Sequence, residues 1–144
     1  MKLSETISAL HPFIGTWFIE GTNLSSSPHS PDTPVTGVWE VKIMEGGKFL
    51  ESHWEYDFRS NKHIGISMLG TPTDDSQLKI FSFDNGGFYR VYDLNIKDQV
   101  WNITGDTERA KMQFDIHWKS YKEFWEIKKD GKWHPLCERV GTKG

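Results

Sequence analysis

The chain has one cysteine in 144 residues, Cys137. A single thiol excludes an internal disulfide, so burial and hydrogen bonding must hold the fold. There is no apolar run approaching the roughly 20 residues of a membrane-spanning helix. Met1-Lys2-Leu3-Ser4-Glu5-Thr6 opens without the apolar stretch of a secretory signal. Together these point to the cytoplasm. There is also no basic stripe. Lys and Arg number 17 against 20 Asp and Glu, the net charge is −3, and the cations are scattered apart from Lys128, Lys129 and Lys132. Nucleic-acid backbones are held by clustered cations, so nucleic acid is not an expected partner. Hydrophobic residues make up 36% of the chain, less than a typical domain carries.

Aromatic rings fill that gap: they reach 14%, with seven Trp, nine Phe and four Tyr. Each ring buries far more apolar area than an aliphatic side chain, so a few can supply a core. The length fits one domain over residues 1–144. Leu3 to Leu10 reads as a short helix with Ser4 as N-cap, ended by His11-Pro12. From Gly15 onward the period changes to two, with aromatic and β-branched residues alternating with polar ones. The segments are Thr16–Leu24, Val35–Met44, Lys48–Arg59, His63–Leu69, Leu78–Asp84, Phe88–Asn95, Val100–Thr104, Lys111–Lys119, Lys122–Lys128 and Trp133–Val140. Asp130-Gly131 is a hairpin signal, because both central positions of a type I′ turn need positive φ; Asn85-Gly86-Gly87 is similar. Connections this short hold no crossover helix, so neighbours run antiparallel. The exception is Ser25 to Pro34, a polar stretch with three prolines that reads as a solvated loop or a flap over a barrel mouth. The expected fold is all-β: one antiparallel barrel of about ten strands behind a short N-terminal helix.

The opening Phe13-Ile14-Gly15-Thr16-Trp17 resembles the first strand of calycin-type barrels, where a Gly-x-Trp follows a short helix. That superfamily includes lipocalins, fatty-acid-binding proteins and the haem-binding nitrobindins. Gly37-Val38-Trp39, Glu45-Gly46-Gly47-Lys48-Phe49-Leu50, Asp130-Gly131-Lys132-Trp133 and Arg139-Val140 are similar, in order, to an uncharacterised bacterial lipocalin-like family. The resemblance implies a barrel with Trp17 at its closed end. Nitrobindins open Gly-x-Trp-x-Gly-x-Gly, and this chain has Ile19 at the middle glycine. Their haem-ligating histidine lies near the C-terminus, which makes His134 the alternative haem ligand.

Parity sorts the rest. Leu50, Trp54, Tyr56 and Phe58 share one face, opposite Glu51, His53, Glu55 and Asp57. Met112, Phe114, Ile116 and Trp118 oppose Gln113, Asp115 and His117. The apolar sets should look inward. The clusters Glu51-His53-Glu55 and Asp115-His117 then read as solvent faces rather than zinc or acid–base sites, and Cys137 as a packed thiol without a base. Phe88, Arg90, Tyr92 and Leu94 share a face. An Arg fork with a phenol beside it can hold a carboxylate, as in fatty-acid-binding proteins; alternatively a protein carboxylate pairs with Arg90, or Arg90 is an exposed cross-strand residue. The leading functional expectation is binding of a small, largely apolar or amphipathic ligand. The residues expected to line its site are Trp39, Trp54, Tyr56, Arg90, Tyr92, Phe114 and Trp118, with no cofactor and no metal. A haem barrel, an enzyme working inside the cavity, and a filled barrel acting through a partner or a homodimer face are the alternatives.

Overall fold

The computed structural model describes residues 5–24 and 32–144. Helix α1 (Glu5–Leu10) runs into a 3-10 turn (His11–Phe13). Ten strands follow: β1 (Gly15–Asn23), β2 (Thr33–Ile43), β3 (Phe49–Phe58), β4 (Asn61–Gly70), β5 (Lys79–Asp84), β6 (Tyr89–Lys97), β7 (Val100–Thr104), β8 (Glu108–Phe114), β9 (Ser120–Lys129) and β10 (Lys132–Lys143). Each pairs antiparallel with the next, and β10 closes on β1 from Trp17↔Lys143 to Asn23↔Cys137. The result is a closed barrel, with no free edge for another chain to pair with.

The turn chemistry explains the meander. Asp130 and Gly131 both take positive φ, 52° and 74°, as a type I′ hairpin requires. Between β5 and β6, Asp84 Oδ1 accepts the backbone N–H groups of Gly86 (2.9 Å) and Phe88 (3.2 Å), and Gly87 takes φ 84°. The loop expected over Ser25–Pro34 falls mostly outside the described residues. Residues 25–31, with His29 and the flap idea, lie outside the described residues, and Thr33 and Pro34 already belong to β2.

One segment departs from expectation. The alternation read through Lys111–Lys119 ends at Phe114, and the strand instead begins three residues earlier, at Glu108. Residues 115–119 form a turn around Asp115, whose Oδ1 accepts the N–H groups of Lys119 (2.7 Å) and Ser120 (2.9 Å). Trp118 sits in this turn with φ 57°, and Ile116 is 76% exposed. Side-chain hydrogen bonding by Asp competes with strand ladders, and here it overrides a hydrophobic alternation that continued by coincidence.

The connections after β2, β4, β6 and β8 lie at the same end as the start of β1, where α1 enters. This end is closed. Ile7, Leu10, Phe13 and Trp17 are fully buried there. Phe13 meets Trp39 (4.7 Å) and Trp101 (4.9 Å) edge-on, and Trp17 packs on Tyr121 (5.2 Å) and Phe114 (5.9 Å). Trp17 Nε1 donates to Phe13 O at 2.9 Å, tying the strand to the 3-10 turn. The resemblance placed Trp17 here, and the structure agrees.

Candidate functional site

The other end is hollow. A cavity of about 160 Å³ occupies the barrel interior, walled by side chains from every strand except β1. Trp39 is its floor, since the same indole packs against Phe13 and Tyr121 of the closed end. Above it stand Trp54, Tyr56, Tyr92 and Trp125. Two glycines set how these rings lie. Gly65 is the cross-strand partner of Trp54, and Gly37 that of Tyr56. A Cβ at either glycine would overlap the ring beside it, so the rings lie flat along the wall and leave the lumen open. The buried hydroxyls of Ser52 and Ser67, also register partners, hydrogen-bond to each other, and Ser67 reaches the cavity wall.

Polar groups enter in two tiers. At the mouth, Arg90 Nε meets Glu108 Oε1 at 2.6 Å, and its Nη1 meets Asp84 Oδ2 at 3.3 Å. Asp84 Oδ2 also lies 3.3 Å from His63 Nε2. Burial pushes the Asp84 carboxyl up, but the N–H of Phe88, His63 and the N–H of Gly86 outweigh it and hold the group below its ordinary value. Phe88 lies outside the strand and is exposed, and its ring covers the Arg90 guanidinium at 4.4 Å. Deeper in the wall, Arg139 lies over the Tyr56 ring at 4.5 Å, with Nη1 3.6 Å from the buried carboxylate of Glu123. That separation is too long for a direct hydrogen bond. Burial raises the Glu123 pKa, against the opposing pull of Arg139 and the Trp125 indole. Burial likewise raises the phenols of Tyr56 and Tyr92, and takes the Cys137 thiol up to about 12. A thiol so far from ionising is not a nucleophile at neutral pH.

Of the residues expected to meet a ligand, Trp39, Trp54, Tyr56, Arg90 and Tyr92 line this cavity together. Phe114 and Trp118 do not. Phe114 is buried in the closed-end stack, and Trp118 packs on it at 4.9 Å from the turn. For Arg90 the protein-paired alternative is the one observed: Glu108 and Asp84 already meet its Nε and Nη1. The alternative clusters fall on solvent faces. His53 and His117 are exposed, Glu55 is exposed and pairs with Lys62 at 2.6 Å, and Asp115 caps its turn. Among the described residues no group of three or more His, Cys, Asp or Glu is arranged for a metal. His134 is exposed and does not line the cavity. Among the described residues the one histidine in the wall is His63, which bonds Asp84 through Nε2.

Sequence reading missed Asp84, Glu108, Glu123, Trp125 and Arg139. Glu108 was hidden by the misplaced β8. Glu123 and Arg139 carried a signal: Glu123 shares parity with Tyr121 and Trp125, and Arg139 with Cys137 and Gly141. A charged residue in an otherwise apolar inward row marks a polar group that the interior accepts.

Fold and cavity together define a class: a closed ten-stranded antiparallel barrel, packed with rings at one end and hollow at the other. No protein-family model matches the chain, nor does any curated protein, so the resemblance to a bacterial lipocalin-like family gains no support from sequence comparison. Solved structures do share the fold. Rv2717c from M. tuberculosis superposes with a TM-score of 0.73 at 12% identity, covering 99% of each chain. The S-type phycobiliprotein lyase CPES from Guillardia theta gives 0.55 at 10% identity, over 96% of this chain and 93% of that one. At such identities the likeness is one of fold.

Proposed function

We propose that the barrel binds one small, largely apolar molecule in its hollow end. One observation carries this reading: five aromatic side chains, Trp39, Trp54, Tyr56, Tyr92 and Trp125, line an open cavity of about 160 Å³, with Tyr92 and Trp125 meeting edge-on at 5.6 Å. Apolar walls with a few placed polar groups are the usual composition of a small-molecule site. A chain with one cysteine, itself buried, suits a reducing compartment, and the cytoplasm is the proposed location. No helix of the described residues is long and apolar enough to cross a membrane. The reading accommodates a homodimer. Ile66, Phe83 and Tyr89 form one exposed cross-strand row outside the barrel, with Phe83 stacked on Tyr89 at 4.7 Å, and such rows mark association surfaces.

Native mass spectrometry of protein purified without organic solvent tests the binding reading. A stoichiometric adduct, released on denaturation, is the expected result. Bare protein, with no thermal shift from a panel of apolar compounds, would establish a barrel that acts without a ligand. An enzymatic reading is favoured by one observation, the His63–Asp84 pair at the mouth, where a carboxylate orients an imidazole. The Guillardia barrel is by its name a lyase, so a barrel of this shape can host an enzyme. That reading expects the extracted molecule to be converted on incubation, and His63→Gln to stop the conversion.

A further inference from the structure

We infer that the guest is an organic cation, an apolar body bearing a quaternary ammonium, and that the ammonium sits over the Trp54 indole. This rests on the binding reading above and adds the chemistry of the guest. A ring face and a charge surplus, independent of each other, meet at one place in the wall.

Trp54, Gly65 and Asp84 are register partners across β3, β4 and β5, so they form one row. A Cβ on Gly65 would meet Cζ2 of Trp54 first and its two bonded neighbours, Cε2 and Cη2, at 2.5 Å each. The glycine therefore backs a face of the six-membered ring rather than its edge. The indole also lines the cavity, so its other face is the one turned to the lumen. A ring face is the negative pole of the aromatic quadrupole, and Trp holds cations best. The wall already uses a ring in this way: Arg139 lies over Tyr56 at 4.5 Å, with Glu123 beside the guanidinium. Among the described residues no Lys or Arg stands over Trp54.

The charge surplus lies at the end of the same row. Asp84 and Glu108, with side chains 9% and 14% exposed, share the single guanidinium of Arg90. His63 lies 5.7 Å from the Trp54 ring and bonds Asp84; with its imidazole uncharged, this tier holds one negative charge in excess. Poorly screened, that charge favours a cation and disfavours an anion. Hydrogen bonding then selects the kind of cation. Asp84 Oδ1 already accepts two backbone N–H groups, and Oδ2 faces Arg90 and His63. A primary ammonium would bring three donors to a carboxylate already engaged, whereas a quaternary ammonium has none to satisfy.

Four benzyl compounds separate the cases: benzyltrimethylammonium, its neutral carbon isostere neopentylbenzene, benzylamine and phenylacetate. They are titrated into the full chain at about pH 8, where an ordinary imidazole is uncharged, and read by tryptophan fluorescence. Benzyltrimethylammonium should bind about tenfold tighter than neopentylbenzene, although the hydrocarbon is the more apolar. Glu108→Gln removes the surplus charge, keeps the side chain's shape and should erase that preference. Trp54→Phe leaves a ring with a weaker face and should reduce it about threefold. Neither should change neopentylbenzene affinity by more than about twofold. Equal or tighter binding of neopentylbenzene overturns the inference and leaves the apolar binding reading standing. So does tightest binding of benzylamine, which would mark a hydrogen-bonding site, or of phenylacetate, which would mark an anion receptor. A preference for the quaternary ammonium that survives either substitution unchanged also overturns it, because the cation then sits elsewhere. If none of the four binds, the binding reading falls and takes the inference with it.

Discussion

The two ends of this barrel are made by the same ten strands and filled by opposite rules. At the closed end Phe13, Trp17, Trp101, Phe114 and Tyr121 pack ring on ring, with ring centroids within about 6 Å of their neighbours. At the open end the inward rows carry Asp84, Arg90, Glu108, Glu123 and Arg139 among the aromatics. A buried ion pair such as Glu123–Arg139 is rarely as stabilising as apolar residues of the same volume. Its presence indicates that the open end was not optimised for stability, and departures of that kind concentrate at functional sites. The closed end makes the fold, which frees the open end to carry polar groups.

That division can be broken experimentally, beginning with the largest effect. Trp17→Ala should cost about 3–5 kcal/mol in denaturant unfolding, the range for deleting a large buried ring. A cost under about 1 kcal/mol would mean that the closed end is not the stabilising half. Arg139→Met should cost about 3 kcal/mol, because Glu123 is left buried without its counter-charge. Combining it with Glu123→Leu should recover most of that loss. A double variant as unstable as the single one would show that the loss came from packing over Tyr56. Arg90→Met should cost only about 1 kcal/mol, since a third of its side chain is in water and screening weakens its pairs. A larger loss would place Arg90 with the structural core.

The smallest effect is in pH, and the two tiers should respond with opposite sign. Asp84 is held below its ordinary 3.8 in the fold, so its stabilisation is present above that value and lost as pH falls beneath it. Glu123 is raised above its ordinary 4.5, so the folded state binds its proton more tightly. Its contribution is full below 4.5 and drains away as pH rises through the folded pKa. In thermal melts from acid to neutral pH, Asp84→Asn should flatten the acid limb and Glu123→Gln the limb above it. If the two variants bend the curve in the same direction, the electrostatic contrast between the tiers is wrong.

Nearly all of the fold was legible from period-two alternation and turn residues, because both are local. Val100–Thr104 was read to the residue, and Asp130-Gly131 marked its hairpin through φ alone. The error at β8 has a local cause too. Ile116 and Trp118 continued the alternation, and the tendency of Asp115 to cap a turn was not weighed against them. The site was half legible. Trp54, Tyr56 and Tyr92 followed from parity, but the charges that answer Arg90 lie on β5 and β8. Which carboxylate meets which arginine depends on register and shear around a closed sheet, and parity within one strand contains neither. Trp118 and Phe114 show the same limit: an inward ring can belong to either end, and only the height of its row decides.

The glycines at 37 and 65 give the barrel a heritable control over its capacity. Neither is among the residues that line the cavity, yet each lets a ring lie back against the wall. One base change turns a glycine codon into an alanine codon; at Gly65 the added methyl would push on the Trp54 ring alone, whereas at Gly37 it would also meet the β3 backbone. Selection could then grade the size of the cavity while every residue that lines it stayed the same.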